Sequence, residues 1–250
     1  MAQIALVTGA AAGLGEVIAQ TLLQQGFYVV FTDKDVVAAQ ASAARAAAQV
    51  GVGPAAVLAL ALDVTQAADF ERVLAEVLAQ WGDLHVVVNN AAMTQTTKVM
   101  AISAAEFDQV TQVNQRGTFL ACQCFGQYLA SQGYGRIVNM ASLAGQNGGT
   151  ATGAHYAASK GAIITLTKVF AKEWAASGVT VNAVSPGPMD SPAVHRAVPT
   201  EQLANIVQHI PVLRLGDMAF VGQTVALLAS PAAGFTTGAT WDINGGLWMR

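Results

Sequence analysis

Short apolar runs and longer helical patterns alternate along the whole chain. "IALVTG" (Ile4–Gly9) reads as a strand ending on a glycine, and residues 14–25 carry apolar side chains at helical spacing before Gly26. Then come a β-branched and aromatic strand over 27–33, an Ala-rich helix over 36–49 and a strand over 55–63. An amphipathic helix over 67–80 and a strand over 84–92 follow. A long helix covers about 104–132, succeeded by a strand over 135–142, a helix over 155–176 and a strand over 179–187. Beyond a proline-containing irregular stretch, a helix over about 220–229 and a strand over 239–245 close the pattern. Strand–helix alternation from end to end predicts right-handed βαβ crossovers, hence an α/β fold with a doubly wound parallel sheet of about seven strands. With no linker, composition shift or repeat, residues 1–250 are expected to form a single domain.

Composition fits this and narrows the function. The chain is 53% hydrophobic and only 11% charged, which suits a sheet covered by helices on both faces. Twelve basic residues against fifteen acidic ones leave a net charge of −3 and no basic stripe, which argues against nucleic-acid binding. Cys122 and Cys124 have neither redox-pair nor zinc spacing and are expected to be reduced thiols in a reducing compartment. The N-terminus enters a strand without a basic segment, so no signal peptide is expected. The apolar window 46–62 is broken by Gly51, Gly53 and Pro54 and is shorter than the ~20 residues that span a membrane. A cytoplasmic protein without membrane partners is the expectation. His85, His155, His195 and His209 lack metal-ligand spacing, and no metal is expected.

Ligands of such sheets bind beyond the carboxyl ends of the strands. Polar and glycine residues cluster there: Thr8 to Gly15, Asp33, Asp63, Asn89 and Asn90, Ser142, and Pro186 to Ser191. In "TGAAAGLG" (8–15), Gly9 permits a tight turn, Gly13 lets the backbone approach a pyrophosphate, and Gly15 allows close helix–strand packing. The helix beginning near Leu14 offers its free N–H groups to phosphate. Asp33 could accept hydrogen bonds from an adenosine ribose and repel a 2′-phosphate, which argues for NAD over NADP. Alternatively it caps the next helix, and Lys34 could offset part of the repulsion. Asp63 with Val64 could reach the adenine edge, and the small residues of "NNAA" (89–92), Asn90 and Ala91 among them, let the chain pass close to a ribose.

Tyr156 and Lys160 in "HYAASKGAI" stand four apart, on one face of the predicted helix. A free phenol titrates near 10; a nearby ammonium favours the phenolate, and so would an oxidised nicotinamide. Tyr156 could then exchange a proton with an alcohol oxygen as hydride moves. Ser142 ends the preceding strand and could hold that oxygen, while Asn114 is a poor helix former within the long helix.

Taken together in order and spacing, TGAAAGLG, Asp63, NNAA, Asn114, Ser142, YAASK and Pro186–Gly187 resemble the short-chain dehydrogenase/reductase family over essentially the whole length. The resemblance implies a Rossmann-type fold and a catalytic tetrad of Asn114, Ser142, Tyr156 and Lys160. Tyr156 would be the acid–base and Ser142 the anchor of the substrate oxygen. Lys160 would lower the Tyr156 pKa and bind the nicotinamide ribose, and Asn114 would hold a water in a proton relay. Met189, through its backbone, and Ser191, through its hydroxyl, would bind the nicotinamide amide. Three departures stand out: Ala92 for a usual glycine, Ser191 for threonine, and Pro188 at the start of the substrate loop. The loops 93–100 and 144–153 are expected to line the substrate pocket, with Gln146, Asn147 and Met189 contributing, and 190–215 to form a lid. Lys98 or Arg196 could supply one charge there, and His155 could shape the site. The family also implies a homotetramer. The function expected is an NAD-dependent oxidoreductase acting on a small secondary alcohol or ketone. Within the family, a 3-oxoacyl-[acyl-carrier-protein] reductase is the alternative and would favour NADPH; a non-catalytic nucleotide-binding scaffold is a further one.

Overall fold

The computed structural model describes residues 2–149, 152–191, 194–195 and 200–249. Seven strands form one parallel sheet in the order β3-β2-β1-β4-β5-β6-β9. They are β1 (Ile4–Thr8), β2 (Tyr28–Asp33), β3 (Val57–Ala61), β4 (Val86–Asn89), β5 (Gly135–Met140), β6 (Val179–Pro186) and β9 (Thr240–Ile243). The strands are rich in β-branched residues, and β1, β4, β5 and β6 are buried along their full length, as a sheet covered on both faces requires. Helices α1 (Gly13–Gln24), α2 (Val36–Val50) and α9 (Met218–Ala229) cover one face through Ile18, Leu22, Ala43, Ala46, Val221 and Val225. On the other lie α3 (Ala67–Trp81), α5 (Gly117–Ser131) and α7 (Ala154–Trp174), packed through Phe70, Val77, Phe125, Leu129 and Phe170. The Ala-rich α2 owes its closeness to small buried positions, Ala39, Ala43, Ala46 and Ala47.

The chain winds outward from β1 to β3, then returns to place β4 on the other side of β1. The carboxyl ends of β1 and β4 therefore flank a topological switch point, where a crevice opens.

The structure departs from the sequence pattern in three places that matter for the site. The long helix over 104–132 is not uniform: α4 (Ala104–Val110) passes through a π-turn at Thr111–Arg116 before α5 begins. The loop after β5 contains a short helix, α6 (Ala144–Asn147). The irregular stretch beyond β6 holds α8 (Thr200–Gln208) and a two-stranded parallel ladder of β7 (Met189–Asp190) and β8 (Gly216–Asp217). Residues 192–193 and 196–199 of the expected lid, Arg196 included, lie outside the described residues, as do 150–151 of the loop over 144–153. Among the described residues no helix is long and apolar enough to cross a membrane. Both cysteines are free, and burial pushes the Cys122 thiol up to about 12.

Candidate active site

A cleft of about 590 Å³ runs along the switch point, lined by Gly9, Leu14, Gly15, Asp33, Lys34, Asp63, Val64, Asn90, Ala91 and, at its far end, Thr94. Its floor is stapled by Thr8, whose buried hydroxyl accepts the N–H groups of Asn90 and Ala91, each at 3.0 Å. Asn90 donates back to the carbonyls of Thr8 and Gly9 at 3.0 and 3.1 Å. Gly9 has φ +66°, and a Cβ there would lie 2.8 Å from the Ala91 Cα. Gly13 has φ +61° with open space where a side chain would stand, whereas a Cβ on Gly15 would strike the Gly9 carbonyl. These glycines thus do three different jobs: one turns the chain, one leaves room, one lets α1 sit on β1. Ala12 precedes α1 and gives the first N–H groups of the helix no side-chain cap.

Asp33 does not cap α2. Asp35 does, accepting the Ala38 N–H at 3.0 Å, and one Asp33 oxygen accepts the Asp35 N–H at 3.1 Å. The Asp33 carboxylate therefore stays at the mouth of the cleft beside Lys34. One Asp63 oxygen is taken by the Thr65 N–H and hydroxyl, at 2.9 and 2.8 Å.

Beyond the cleft, the first turn of α7 meets the segment after β5. Tyr156 is partly buried, with the Ser142 and Thr94 side chains beside its hydroxyl. Asn114 is fully buried in the π-turn. Its Oδ1 accepts the Met93 N–H at 2.7 Å, and its Nδ2 donates to the Met93 carbonyl at 3.0 Å and to Ser159 Oγ at 2.9 Å. Ser159 in turn donates to the Tyr156 carbonyl at 2.7 Å. Asn114 thus pins both the segment carrying Thr94 and the turn carrying Tyr156. Its side-chain donors are spent on this, so it is not its side-chain amide N–H groups that could hold the expected relay water. A π-turn widens the helix by one residue and re-aims such a side chain, which explains a poor helix former here.

Lys160 is 3% exposed, and its Nζ donates to the Met140 carbonyl at 2.6 Å, 5.6 Å from the Tyr156 ring centroid. Burial pulls its pKa down to about 8. For Tyr156 the expectation of a lowered pKa needs correction. Burial of the phenol is the largest influence and raises it above 10, while the neighbouring Ser142 and Thr94 side chains pull the other way. α6 crosses α7 at this point. A Cβ on Gly145 would come within 2.5 Å of the Gly161 N–H nitrogen, so small residues on both sides let the backbones meet.

Residues 9–248 match the family model described as enoyl-(acyl carrier protein) reductase. The chain is 35% identical over 249 residues to 3-oxoacyl-[acyl-carrier-protein] reductase FabG of Escherichia coli, covering 99% of this chain and 98% of that protein. It is 33% identical to sorbitol dehydrogenase of Cereibacter sphaeroides (98% and 97% covered). It is 38% identical to 4-formylbenzenesulfonate dehydrogenase of Comamonas testosteroni (98% and 97% covered). The chain belongs to the short-chain dehydrogenase/reductase family. Members are nicotinamide-dependent oxidoreductases, and the cleft fits such a dinucleotide. Gly13 leaves space at the uncapped start of α1, and a carboxylate stands at the end of β2.

Among the short-chain dehydrogenase/reductase features expected beyond Tyr156, the structure brings some to the site and not others. Pro186 ends β6 and Gly187 follows it, its N–H donating to the Ile243 carbonyl at 2.8 Å, and a Cβ on Gly187 would meet Asn244. Met189 pairs with Gly216 in the small ladder and lines a second pocket of about 540 Å³ with Arg214, Asp217 and Trp248. Ser191 Oγ accepts the Val194 N–H at 3.2 Å. Gln146 is not turned into an open pocket: its amide donates to Asp242 Oδ1 at 2.6 Å and accepts from Ser185 Oγ at 3.0 Å, tying α6 to β6 and β9. Asn147 is exposed and accepts the Gly149 N–H at 2.9 Å. Sequence reasoning missed Thr94 and Ser159. Ser159 had a signal, lying three residues after Tyr156 on the same helix, whereas Thr94 had none beyond its loop.

Proposed function

We propose that this chain transfers hydride between NAD(H) and a small secondary alcohol or its ketone, with Tyr156 as the acid–base. The observation that carries the reading is the placing of Tyr156, with the Ser142 and Thr94 side chains beside its hydroxyl and Lys160 Nζ 5.6 Å from its ring centroid, next to a cleft that Thr94 also lines and that fits a dinucleotide. A bound nicotinamide supplies the hydride acceptor or donor. The residues of the chain do the rest. Gly9, Gly13, Leu14 and Gly15 seat the pyrophosphate against α1, and Asp33 accepts from the adenosine ribose. Asp63 and Val64 border the adenine, and Asn90 and Ala91 border the ribose. Pro186, Gly187, Met189 and Ser191 hold the nicotinamide end. Ser142 donates to the substrate oxygen, and Tyr156 gives that oxygen a proton in reduction or takes one in oxidation. Lys160 places a buried ammonium 5.6 Å from the Tyr156 ring centroid, where its charge would favour the phenolate that oxidation requires.

Asp33 supports NAD over NADP, because a 2′-phosphate beside its carboxylate meets like charge. We expect kcat/KM with NAD to exceed that with NADP by roughly tenfold or more, and Asp33→Ser to narrow the gap. Steady-state kinetics with both cofactors checks this; equal or better use of NADP by the wild type would refute the preference, with Lys34 the residue to blame.

A second reading, reduction of a 3-oxoacyl thioester on a carrier protein, draws on the similarity to reductases of that name. It predicts reduction of 3-oxoacyl thioesters with NADPH in preference to simple ketones with NADH, and a panel containing both separates the two.

The assembly proposed is a homotetramer in a reducing, cytoplasmic setting. Large apolar side chains stand exposed on two faces: Phe107, Phe119 and Val169 on α4, α5 and α7, and Phe220 and Leu227 on α9. Light scattering at micromolar concentration is expected to give four times the chain mass, and a monomer mass would overturn the proposal.

A further inference from the structure

Gly153 stands before α7 and has no side chain to cap it. The first N–H groups of a helix still need acceptors. His155 supplies one from inside the turn: its Nδ1 accepts the Tyr156 N–H at 3.0 Å. That bond places the ring hydrogen on Nε2, which points at Glu106 Oε1, 3.0 Å away. The same oxygen accepts the Thr97 hydroxyl at 2.6 Å, and these two bonds hold the Glu106 carboxylate below its usual range. The imidazole is completely buried and lies against Phe107, ring centroids 6.4 Å apart at 30°. Gly153 is needed for this fit, since a Cβ there would strike the imidazole. The Gly153 N–H also bonds the Gln95 carbonyl at 2.7 Å. Glu106 itself comes from the first turn of α4, where Ser103 accepts its N–H at 3.2 Å as in a capping box. Its carboxylate, instead of reaching back to Ser103, reaches across to α7.

We propose that His155, held by Glu106, is a positioning residue for Tyr156: it caps the turn that carries the phenol and registers that turn against the loop 93–97, which carries Thr94. The inference rests on the reading of Tyr156 as the acid–base. A ring needed only to fill space against Phe107 could be apolar. This one commits both nitrogens, one of them to the backbone of Tyr156 itself. Small displacements of a reacting group reduce turnover strongly, up to about a hundredfold for 1 Å.

The test compares His155→Phe, His155→Asn and Glu106→Ala with the wild type, measuring kcat, NADH affinity by fluorescence and thermal melting. Phenylalanine keeps the ring stack and removes the acceptor. Asparagine puts Oδ1 where Nδ1 was. We expect His155→Phe and Glu106→Ala to lower kcat roughly tenfold or more with NADH affinity nearly unchanged, and His155→Asn to recover kcat to within about threefold of wild type. Equal kcat for His155→Phe and His155→Asn overturns the proposal, as does a fall in kcat that only tracks lost NADH affinity and melting temperature. Should His155→Phe not fold, Glu106→Ala against His155→Asn decides, and wild-type turnover in Glu106→Ala is the overturning result. Tyr156→Phe run alongside separates the two levels: retained turnover there refutes the acid–base reading, whereas its loss beside an unaffected His155→Phe refutes only the positioning role.

Discussion

Tyr156→Phe is expected to lower kcat about a thousandfold while leaving NADH affinity within about twofold, a loss of roughly 4 kcal/mol of transition-state stabilisation. The substitution keeps the ring and removes only the hydroxyl beside Ser142 and Thr94. The direction of its titration adds a second readout. Burial raises this phenol above 10, so near neutral pH it carries its proton and is already the acid that carbonyl reduction requires. Alcohol oxidation requires the phenolate and must first lose that proton. The ratio of oxidation to reduction kcat in the wild type should therefore climb with pH. Rates measured in both directions from pH 6 to 9 check this; a Phe variant with wild-type turnover would remove Tyr156 from the chemistry.

Lys160→Met is expected to reduce kcat by about two orders of magnitude and yet raise the melting temperature at pH 7 by a few degrees. The two effects have one cause, an ammonium kept where water cannot reach it. Its pKa falls from 10.5 to about 8, which corresponds to a burial penalty of about 3 kcal/mol while the folded chain keeps it charged. Methionine relieves that penalty but leaves the Met140 carbonyl without its donor, which costs about 1–2 kcal/mol. The sign with pH follows from proton counting. Below about 8 the folded and unfolded chains both carry the proton, and the penalty is present in full. Between there and 10.5 the unfolded chain holds a proton that the folded chain has lost, so wild-type stability gains relative to the variant. Melting curves of both proteins at pH 7 and pH 9.5 should show the variant's advantage shrinking. A variant less stable than wild type at pH 7 would mean that the Met140 bond outweighs the burial penalty.

What is legible in the sequence here is what lies close together along it. The glycine turn occupies eight consecutive residues, Tyr156 and Lys160 are one helical turn apart, and both are found where the pattern places them. The seven parallel strands follow from the alternation of apolar runs and helical periods, with ends trimmed where Asn90 and Ala91 leave the sheet to meet Thr8. The rest depends on contacts between distant segments. Asn114 reaches Met93 across 21 positions and Ser159 across 45, and His155 reaches Glu106 across 49. No periodicity reveals such pairs, nor the π-turn that aims Asn114 at them. Gln146 shows the converse error. As a polar residue in a Gly-rich loop it suggests a pocket wall, but Asp242 and Ser185, far along the chain, claim its amide. The upward shift of Tyr156 is a property of enclosure, which spacing to Lys160 cannot convey.

The reaction proposed for this protein moves hydride between a nicotinamide and a carbinol carbon. Its most direct test is to supply NADH deuterated at C4 on both faces to a panel of ketones, diketones, keto sugars and 3-oxoacyl thioesters, then locate the label in the products. Deuterium is expected on the new carbinol carbon of at least one product in ordinary water, with the hydroxyl proton drawn from solvent through Tyr156. Product formed without that label, or no labelled alcohol from any member of the panel despite tight NADH binding, would contradict it.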